Sequence, residues 1–184
     1  MTLHIKNMVC NHCIAAVKSA LTSEGIPYRE VGLGFAVIDG ELSSELKTRL
    51  ERTLKDLGFE LLDDPRSQIV EQIKVAVLEW VRQDGERPRM SDYLSGRLAR
   101  DYSSLSKLFS EVHGMTIERF AILHRIEYAK ELLCYNQQTT SEIAYALGYS
   151  SPAHLSAQFK QVTGMTPKEF RDQDKKNRIS LSEI

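Results

Sequence analysis

The C-terminal half of the chain contains one sequence pattern twice, at a spacing of 50 residues. Both copies fit the template L-S-x-x-F-x-x-V-x-G-M-T-x-x-x-F, which begins at Leu105 and again at Leu155. A repeat of this period indicates a repeated supersecondary unit. Each copy follows a short helical stretch and a turn, so each is predicted to be a helix-turn-helix. The repeated Leu, Phe, Val and Met positions are expected to form the core of each unit.

Apolar periodicity and capping signals predict the elements around the repeat. Thr139 with Glu142 and Thr166 with Glu169 have the spacing of capping boxes, which mark the starts of helices. A polar tail is expected from residue 173 onward. The predicted elements are a helix over 67–82, a polar turn over 84–88, helices over 92–98 and 102–113, a connecting helix over 116–133, helices over 139–147 and 152–163, and a last helix from Thr166.

The two predicted units differ where their helices meet. Ser95 stands where the second copy has Ala144, and Ala99 stands where it has Gly148. Ser95 must satisfy its hydroxyl group at a tight helix crossing. Ala99 is expected either to keep a right-handed backbone or to cost about 1 kcal/mol, because only glycine adopts the left-handed conformation without a steric penalty.

Two helix-turn-helix units on one connecting helix predict a protein that reads double-stranded DNA. The connecting helix of about 18 residues would span roughly 27 Å at 1.5 Å per residue. Together with the width of the flanking units, this length suits two major grooves that are ~34 Å apart. A single chain is therefore expected to read a bipartite site in adjacent major grooves.

The contact candidates are surface residues on the second helix of each predicted unit. Hydroxyl, ammonium and imidazole groups donate hydrogen bonds to base edges or phosphates. The candidates are Tyr102, Ser103, Ser104, Ser106 and Lys107 in the first unit, and Ala153, His154, Ser156, Ala157 and Lys160 in the second.

The second copy also carries a family signature. The segments 141–151 (SEIAYALGYSS) and 164–171 (GMTPKEFR), with Phe159 between them, resemble the AraC/XylS transcription factors. The resemblance covers residues 68–172 and implies a transcriptional regulator that acts with the transcription machinery.

In each predicted unit the second helix is the predicted recognition helix, and the resemblance also assigns roles to residues on it. It gives base-contact positions in the first unit to Ser103, Ser106 and Lys107. The matching positions of the second unit, Ala153 and Ala157, carry no hydrogen-bonding group. Sequence discrimination is therefore expected to depend on the first recognition helix and on His154.

The first 62 residues predict a different architecture, with strands and helices in the order βαββαβ. Leu3–Lys6 alternates apolar and polar residues, as a half-buried strand does. This order is typical of a ferredoxin-like α+β domain. The remaining elements are a helix with Ile14, Val17 and Leu21 on one face, strands over 26–31 and 35–38, a helix with Leu46, Leu50, Leu54 and Leu57 on one face, and a short strand over 59–62.

A cysteine pair lies where the first strand leads into the first helix. Cys10 and Cys13 can converge on one ion, and a helix N-terminus favours their thiolate forms. Soft thiolate ligands suit Cu(I). The segment Met8–Cys13 resembles the heavy-metal-associated (HMA) domain, whose motif is M-x-C-x-x-C in a fold of this type, and the resemblance covers residues 3–62. Met8 is a possible further ligand, although its expected role is packing.

Two departures from the HMA pattern leave the metal open. Asn7 stands where the family usually has glycine, and His12 lies between the cysteines. His12 is a possible additional ligand that would shift the preference toward Zn(II). A C-x-x-C pair also suits a thiol redox switch, although a thioredoxin-like enzyme usually needs a cis-proline, and residues 1–64 contain only Pro27.

These patterns together predict a metal-responsive regulator with domains over 1–64 and 65–172 and a polar tail over 173–184. Metal binding is expected to change how the first domain packs on the helix from Ser67, and so to change DNA affinity. The alternatives are a redox-sensing, ligand-sensing or dimerising first domain, or a metal-trafficking protein. The sequence shows no signal peptide, membrane span or enzyme motif, so a cytoplasmic non-enzyme is expected. The oligomeric state stays open.

Overall fold

The computed structural model describes residues 1–83 and 87–177. These residues form two compact units. Residues 1–77 and 94–114 form one, here called the sheet unit, and residues 78–83, 87–93 and 115–177 form the other, here called the helical unit. Each compact unit is defined by its internal contacts and contains two separate stretches of the chain. The domain limits expected after residues 64 and 172 therefore stay predictions.

The sheet unit begins with a four-stranded antiparallel sheet and two helices. The strands lie in the order β2-β3-β1-β4. Leu3 pairs with Ala36 across β1 and β3, and Ile5 pairs with Leu61 across β1 and β4. In chain order the elements are β1 Thr2–Lys6, α1 Asn11–Ser23, β2 Tyr28–Gly32, β3 Phe35–Ile38, α2 Ser44–Asp56 and β4 Glu60–Leu61.

One apolar core joins this sheet to its two helices. Alternation along β1 turns Leu3 and Ile5 inward, and the helical spacing of α1 turns Val17 and Leu21 toward them. Ser43 caps α2 by accepting a hydrogen bond from the backbone N–H of Leu46. The buried members of the core are Leu3, Ile5, Met8, Val17, Ala20, Leu21, Ile26, Val31, Ala36, Ile38, Leu50, Leu54 and Phe59.

Three helices follow the sheet: α3 Pro65–Val81, α4 Met90–Leu98 and α5 Tyr102–His113. The division between the two compact units falls within α3 and α4. Inside the sheet unit, Arg66 of α3 forms an ion pair with Glu111 of α5. Gly34 has a left-handed backbone with φ +78°, and a Cβ atom there would lie only 3.2 Å from the Val75 side chain of α3. The turn between β2 and β3 therefore depends on glycine, because a side chain would add both strain and crowding.

The helical unit is built on α6 Ile117–Tyr135, with α7 Thr140–Ala146, α8 Pro152–Thr163 and α9 Pro167–Asn177. Both predicted capping boxes are present, at Thr139 with Glu142 and at Thr166 with Glu169. The buried core contains Ile126, Ala129, Leu133, Ile143, Ala144, Leu147, Tyr149, Leu155 and Phe159.

Several predicted bounds need correction. The strand expected over 26–31 begins at Tyr28, and the strand expected over 59–62 is the two-residue β4. The connecting helix α6 continues to Tyr135, where Asn136 ends it in a left-handed conformation. Helix α9 extends to Asn177, into the segment expected to be a tail. Residues 84–86 of the predicted polar turn and 178–184 of the predicted tail lie outside the described residues.

Candidate nucleic-acid interface and cysteine loop

Helix α5, the predicted first recognition helix, is fixed at its start by Asp101. The Asp101 carboxylate accepts a hydrogen bond from the backbone N–H of Ser104 at 3.1 Å and another from the hydroxyl of Ser103. The Ser103 hydroxyl and the Ser104 N–H lower the pKa of Asp101. The Ser103 proton therefore already has an acceptor within the protein, and its oxygen remains able to accept from a partner.

The predicted contact residues of α5 divide into two groups. Ser103, Ser104 and Lys107 are exposed, whereas Tyr102 and Ser106 are half-buried. The expectation that all five are surface residues is therefore corrected for the latter two. Leu105 and Phe109 are buried, as the repeat predicts, because they lie four residues apart on the opposite face.

The prediction that every repeated apolar position lies in the core is wrong for one residue of the first copy. Val112 is 42% exposed, whereas its counterpart Val162 is half-buried against the core of the helical unit. Phe159 and Phe170 complete that core with an edge-to-face ring contact at 5.6 Å.

Helix α8, the predicted second recognition helix, starts at Pro152 with Ser151 as its cap. The Ser151 hydroxyl accepts from the backbone N–H of His154 at 3.2 Å, and the fixed φ of proline suits the first helical position. Among the predicted contacts, Ala153, His154, Ala157 and Lys160 are exposed, and Ser156 is half-buried.

His154 is held in place by the turn before α8. Its Nδ1 lies 3.2 Å from the Ser150 hydroxyl, and its ring meets the Tyr149 ring edge-on with centroids 5.2 Å apart. These two contacts fix the imidazole ring, so its Nε2 is the ring atom that remains for an outside partner.

An arginine on α6 packs against this turn. The Arg125 guanidinium lies 4.9 Å from the Trp80 ring centroid and 5.2 Å from that of Tyr149. Tyr149 is buried, which raises the pKa of its hydroxyl, and it donates a hydrogen bond of 2.6 Å to Gln158 of α8. Sequence spacing does not predict this arrangement, because its members are distant in the chain.

The cysteine loop lies at the start of α1. Cys10 is the N-cap residue of α1 and Cys13 lies in its first turn, which brings the two Sγ atoms to 3.4 Å. Both cysteines are half-buried. Met8 is fully buried in the core, as expected for a packing residue, and His12 is exposed. Among residues 1–83 and 87–177, no three His, Cys, Asp or Glu side chains are close enough to hold a metal ion together.

The helical part of the chain is similar to known proteins. Residues 94–173 match the family model of the helix-turn-helix domain. The C-terminal domain of AraT, a response regulator from Geobacillus stearothermophilus, has a TM-score of 0.53 and 23% identity, covering 64% of this chain and 93% of that domain. An AraC-type regulator from Chromobacterium violaceum has a TM-score of 0.51 and 21% identity, covering 59% and 96%.

Residues 94–173 therefore form a helix-turn-helix region, and the fold of the chain there resembles that of these solved regulators. Sequence relatives of the chain are regulators as well. An uncharacterised HTH-type transcriptional regulator of Staphylococcus aureus (strain MSSA476) is 34% identical over 111 residues, which are 60% of this chain. The HTH-type transcriptional activator RhaS of Yersinia pestis (strain Pestoides F) is 27% identical over 97 residues, which are 53% of this chain.

These relatives are much longer than the matched region. The aligned residues make up 14% of the Staphylococcus protein and 36% of RhaS. The chain therefore spans only a small part of the length of the curated relatives that it matches. Within the described residues, no helix is both long and apolar enough to cross a bilayer.

Proposed function

We propose that the chain is a DNA-binding transcriptional regulator that reads a bipartite site with α5 and α8. The observation that supports this proposal is the matched pair of helices, each with a buried Leu-Phe face and exposed polar residues on the other side. Lys107 and Lys160 suit phosphates, while Ser103 and His154 suit base edges.

A selection from a random duplex library tests DNA reading. We expect enrichment of a sequence with two short conserved blocks spaced by about one helical turn. The selected duplex is then compared with a shuffled duplex of equal length by fluorescence anisotropy. Equal affinity for both duplexes would contradict sequence-specific reading.

We further propose that residues 1–64 are a ferredoxin-like, HMA-like domain that binds a soft metal ion at Cys10 and Cys13. The Sγ separation of 3.4 Å allows both sulfurs to contact one ion at a metal–sulfur distance of about 2.3 Å. Two thiolates from one chain suit Cu(I). Zn(II) usually takes four ligands, and the described residues bring no third ligand to the pair.

In this proposal, each part of the chain has a defined role. Cys10 and Cys13 supply the thiolate ligands, the N-terminus of α1 stabilises their negative charge, and the buried Met8 anchors the loop to the core. Metal binding changes how this domain packs on α3 and thereby changes DNA affinity.

An anaerobic Cu(I) titration of the reduced full-length protein against a competing chelator tests the metal site. We expect one equivalent to bind tightly in the wild type and none to bind competitively in the Cys10→Ser, Cys13→Ser variant. DNA affinity is then measured with and without Cu(I). Metal binding that matches the double-serine variant would contradict the metal site, and equal DNA affinities would contradict metal sensing.

The same sulfur distance supports a second candidate, a thiol redox switch. A disulfide needs the two Sγ atoms to approach to about 2.05 Å, which is a small movement from 3.4 Å. Titration of the Cys10 and Cys13 thiols in a glutathione redox buffer distinguishes this candidate. A protein whose DNA affinity changes with Cu(I) but not with oxidation is a metal sensor. One that responds only to oxidation is a redox sensor.

A further inference from the structure

A carboxylate is buried on α3 in the sheet unit. Glu71 is 5% exposed, and it is the one charged side chain that is buried among the residues that the structure describes. It lies among the apolar residues Ile69, Val70 and Ile73 of this helix. Burying a carboxylate costs several kcal/mol unless it is paired and hydrogen-bonded. A buried glutamate on this helix therefore depends on specific partners.

Both carboxylate oxygens of Glu71 have partners. Oε1 accepts a hydrogen bond of 3.0 Å from the backbone N–H of Asn7, and Oε2 lies 3.2 Å from the ammonium group of Lys74. The first contact joins α3 to the segment that leads into the cysteine loop, 64 residues away in the chain.

Asn7 is itself held in an unusual conformation. Its φ of +72° is left-handed, a region that asparagine tolerates better than most residues. Its side-chain amide donates a hydrogen bond of 3.0 Å to the carbonyl of Gly58. Met8, the next residue, is fully buried, and Cys10 follows two residues later. The Glu71 contact is therefore made at the entry to the cysteine loop.

Helix α3 also contacts the predicted first recognition helix. Arg66 forms an ion pair of 2.5 Å with Glu111 of α5. Burial lowers the pKa of the His113 imidazole, the charge of Lys74 lowers it further, and the charge of Glu71 opposes this change. His113 is the last residue of α5 and packs against Phe109 of its core face. One short stretch of α3, residues 66–74, thus contains both the contact with Asn7, at the entry to the cysteine loop, and the ion pair with α5, all within the sheet unit.

We infer that Glu71 is the positioning residue through which the cysteine loop acts on α5. This inference rests on the proposed metal sensing and names the contact that transmits it. A loop that moves when Cys10 and Cys13 bind Cu(I) changes the Asn7–Glu71 hydrogen bond. Because Glu71 lies on the same helix as Arg66, which forms an ion pair with Glu111 of α5, that change alters the support of the predicted recognition helix.

The test is a comparison of coupling in three full-length proteins. The Kd for the selected duplex is measured without metal and with one equivalent of Cu(I) in the wild type, Glu71→Gln and Glu71→Leu. The glutamine keeps an acceptor for the Asn7 N–H, and the leucine removes it. We expect the ratio of the two Kd values to fall to within about twofold of unity in Glu71→Leu. Glu71→Gln should keep a ratio closer to that of the wild type, which is of the order of 5–150-fold in typical allosteric proteins.

The outcomes separate the inference from the proposal beneath it. A wild-type ratio of one contradicts metal sensing, and the inference fails with it. A wild-type ratio above five that is unchanged in Glu71→Leu overturns the role of Glu71 alone. Cu(I) affinity is measured in all three proteins, and it should stay within about threefold of the wild type, because neither variant changes a ligand.

Hydrogen exchange of the wild-type protein keeps the test decisive if Glu71→Leu does not fold. Cu(I) should alter amide protection at Asn7, along residues 66–74 and in the last turn of α5. A change confined to residues 8–13 would overturn the inference.

Discussion

Ala99 and Gly148 occupy the same place in the two helix-turn-helix turns, and both have a left-handed backbone, with φ of +49° and +73°. Equivalent backbone hydrogen bonds close the two turns: Arg100 N–H donates to Ser95 O at 3.3 Å, and Tyr149 N–H donates to Ala144 O at 2.9 Å. The turn geometry is therefore conserved between the copies, although one of them has a side chain where glycine is favoured. Ala99 was expected either to keep a right-handed backbone or to accept the cost of a left-handed one, and it has the left-handed backbone.

Exchanging these two residues should have opposite effects on stability. Ala99→Gly should raise the free energy of unfolding by about 0.5–1 kcal/mol, because it relieves left-handed strain of ~1–2 kcal/mol but loosens the unfolded chain. Gly148→Ala should lower it by about 1 kcal/mol or more. Urea denaturation measures both. Destabilisation by Ala99→Gly would show that the alanine is favoured by contacts that outweigh its strain.

The exposed lysines of the two proposed recognition helices, α5 and α8, should account for part of the salt dependence of DNA binding. Lys107→Ala and Lys160→Ala should each reduce the slope of log K against log salt by about 1, with a similar loss of affinity for the selected and shuffled duplexes. Lys18→Ala, which removes an exposed lysine from α1, is the control and should leave the slope unchanged. An unchanged slope for Lys107→Ala would place α5 away from the phosphates.

His154 should contribute to sequence discrimination instead. His154→Ala should weaken binding to the selected duplex by about 1–3 kcal/mol and relax the preference at one base pair of one half-site. Binding to the shuffled duplex should change little. A repeat of the duplex selection with the variant identifies the base pair, and a selected sequence identical to that of the wild type would rule out base reading by His154.

The hydroxyl of Tyr149 should stabilise the helical unit. Tyr149→Phe keeps the ring beside Arg125 but removes the hydrogen bond of 2.6 Å to Gln158, so the free energy of unfolding should fall by about 1–2 kcal/mol. Tyr145→Phe is a matched control, because Tyr145 is 65% exposed. Equal effects of the two substitutions in urea denaturation would show that the Gln158 contact adds no net stability.

Acid should weaken the helix starts of the helical unit. Hydrogen bonds from Thr139 and Thr166 lower the pKa values of Glu142 and Glu169 below the ordinary 4.5. Carboxylates of this kind stabilise the fold above the ordinary pKa and lose that contribution as the pH falls through the lowered pKa. The melting temperature of the wild type should therefore fall more steeply between about pH 5 and pH 3 than that of the Glu142→Gln, Glu169→Gln variant.

The control for this measurement is Asp172→Asn, which removes an exposed carboxylate outside the capping boxes. It should follow the wild-type curve. A double-glutamine variant with the same acid dependence as the wild type would show that the capping carboxylates contribute nothing to the pH dependence.

Local signals explain why much of the helical part was predictable. The bounds of α5 and α8 agree with prediction to the residue. For α8, Ser151 and Pro152 mark the start and Gly164 the end, and all three act within a few residues of the helix terminus. The predicted bounds of the N-terminal strands were less accurate. The extent of β4 depends on its pairing with β1, more than 50 residues away, and a local pattern does not encode that pairing.

Local sequence determined the repeat, the helix caps, the cysteine spacing and the apolar faces of α5 and α8, because each depends on residues within a turn or two of one another. Tertiary structure alone decided which of these residues have distant partners. Glu71 is buried and accepts a hydrogen bond from the backbone N–H of Asn7. The Arg125 guanidinium packs against the rings of Trp80 and Tyr149. Val112 is exposed, whereas its counterpart Val162 is half-buried. Burial and long-range pairing depend on which surfaces meet when the chain folds, and sequence spacing does not specify those meetings.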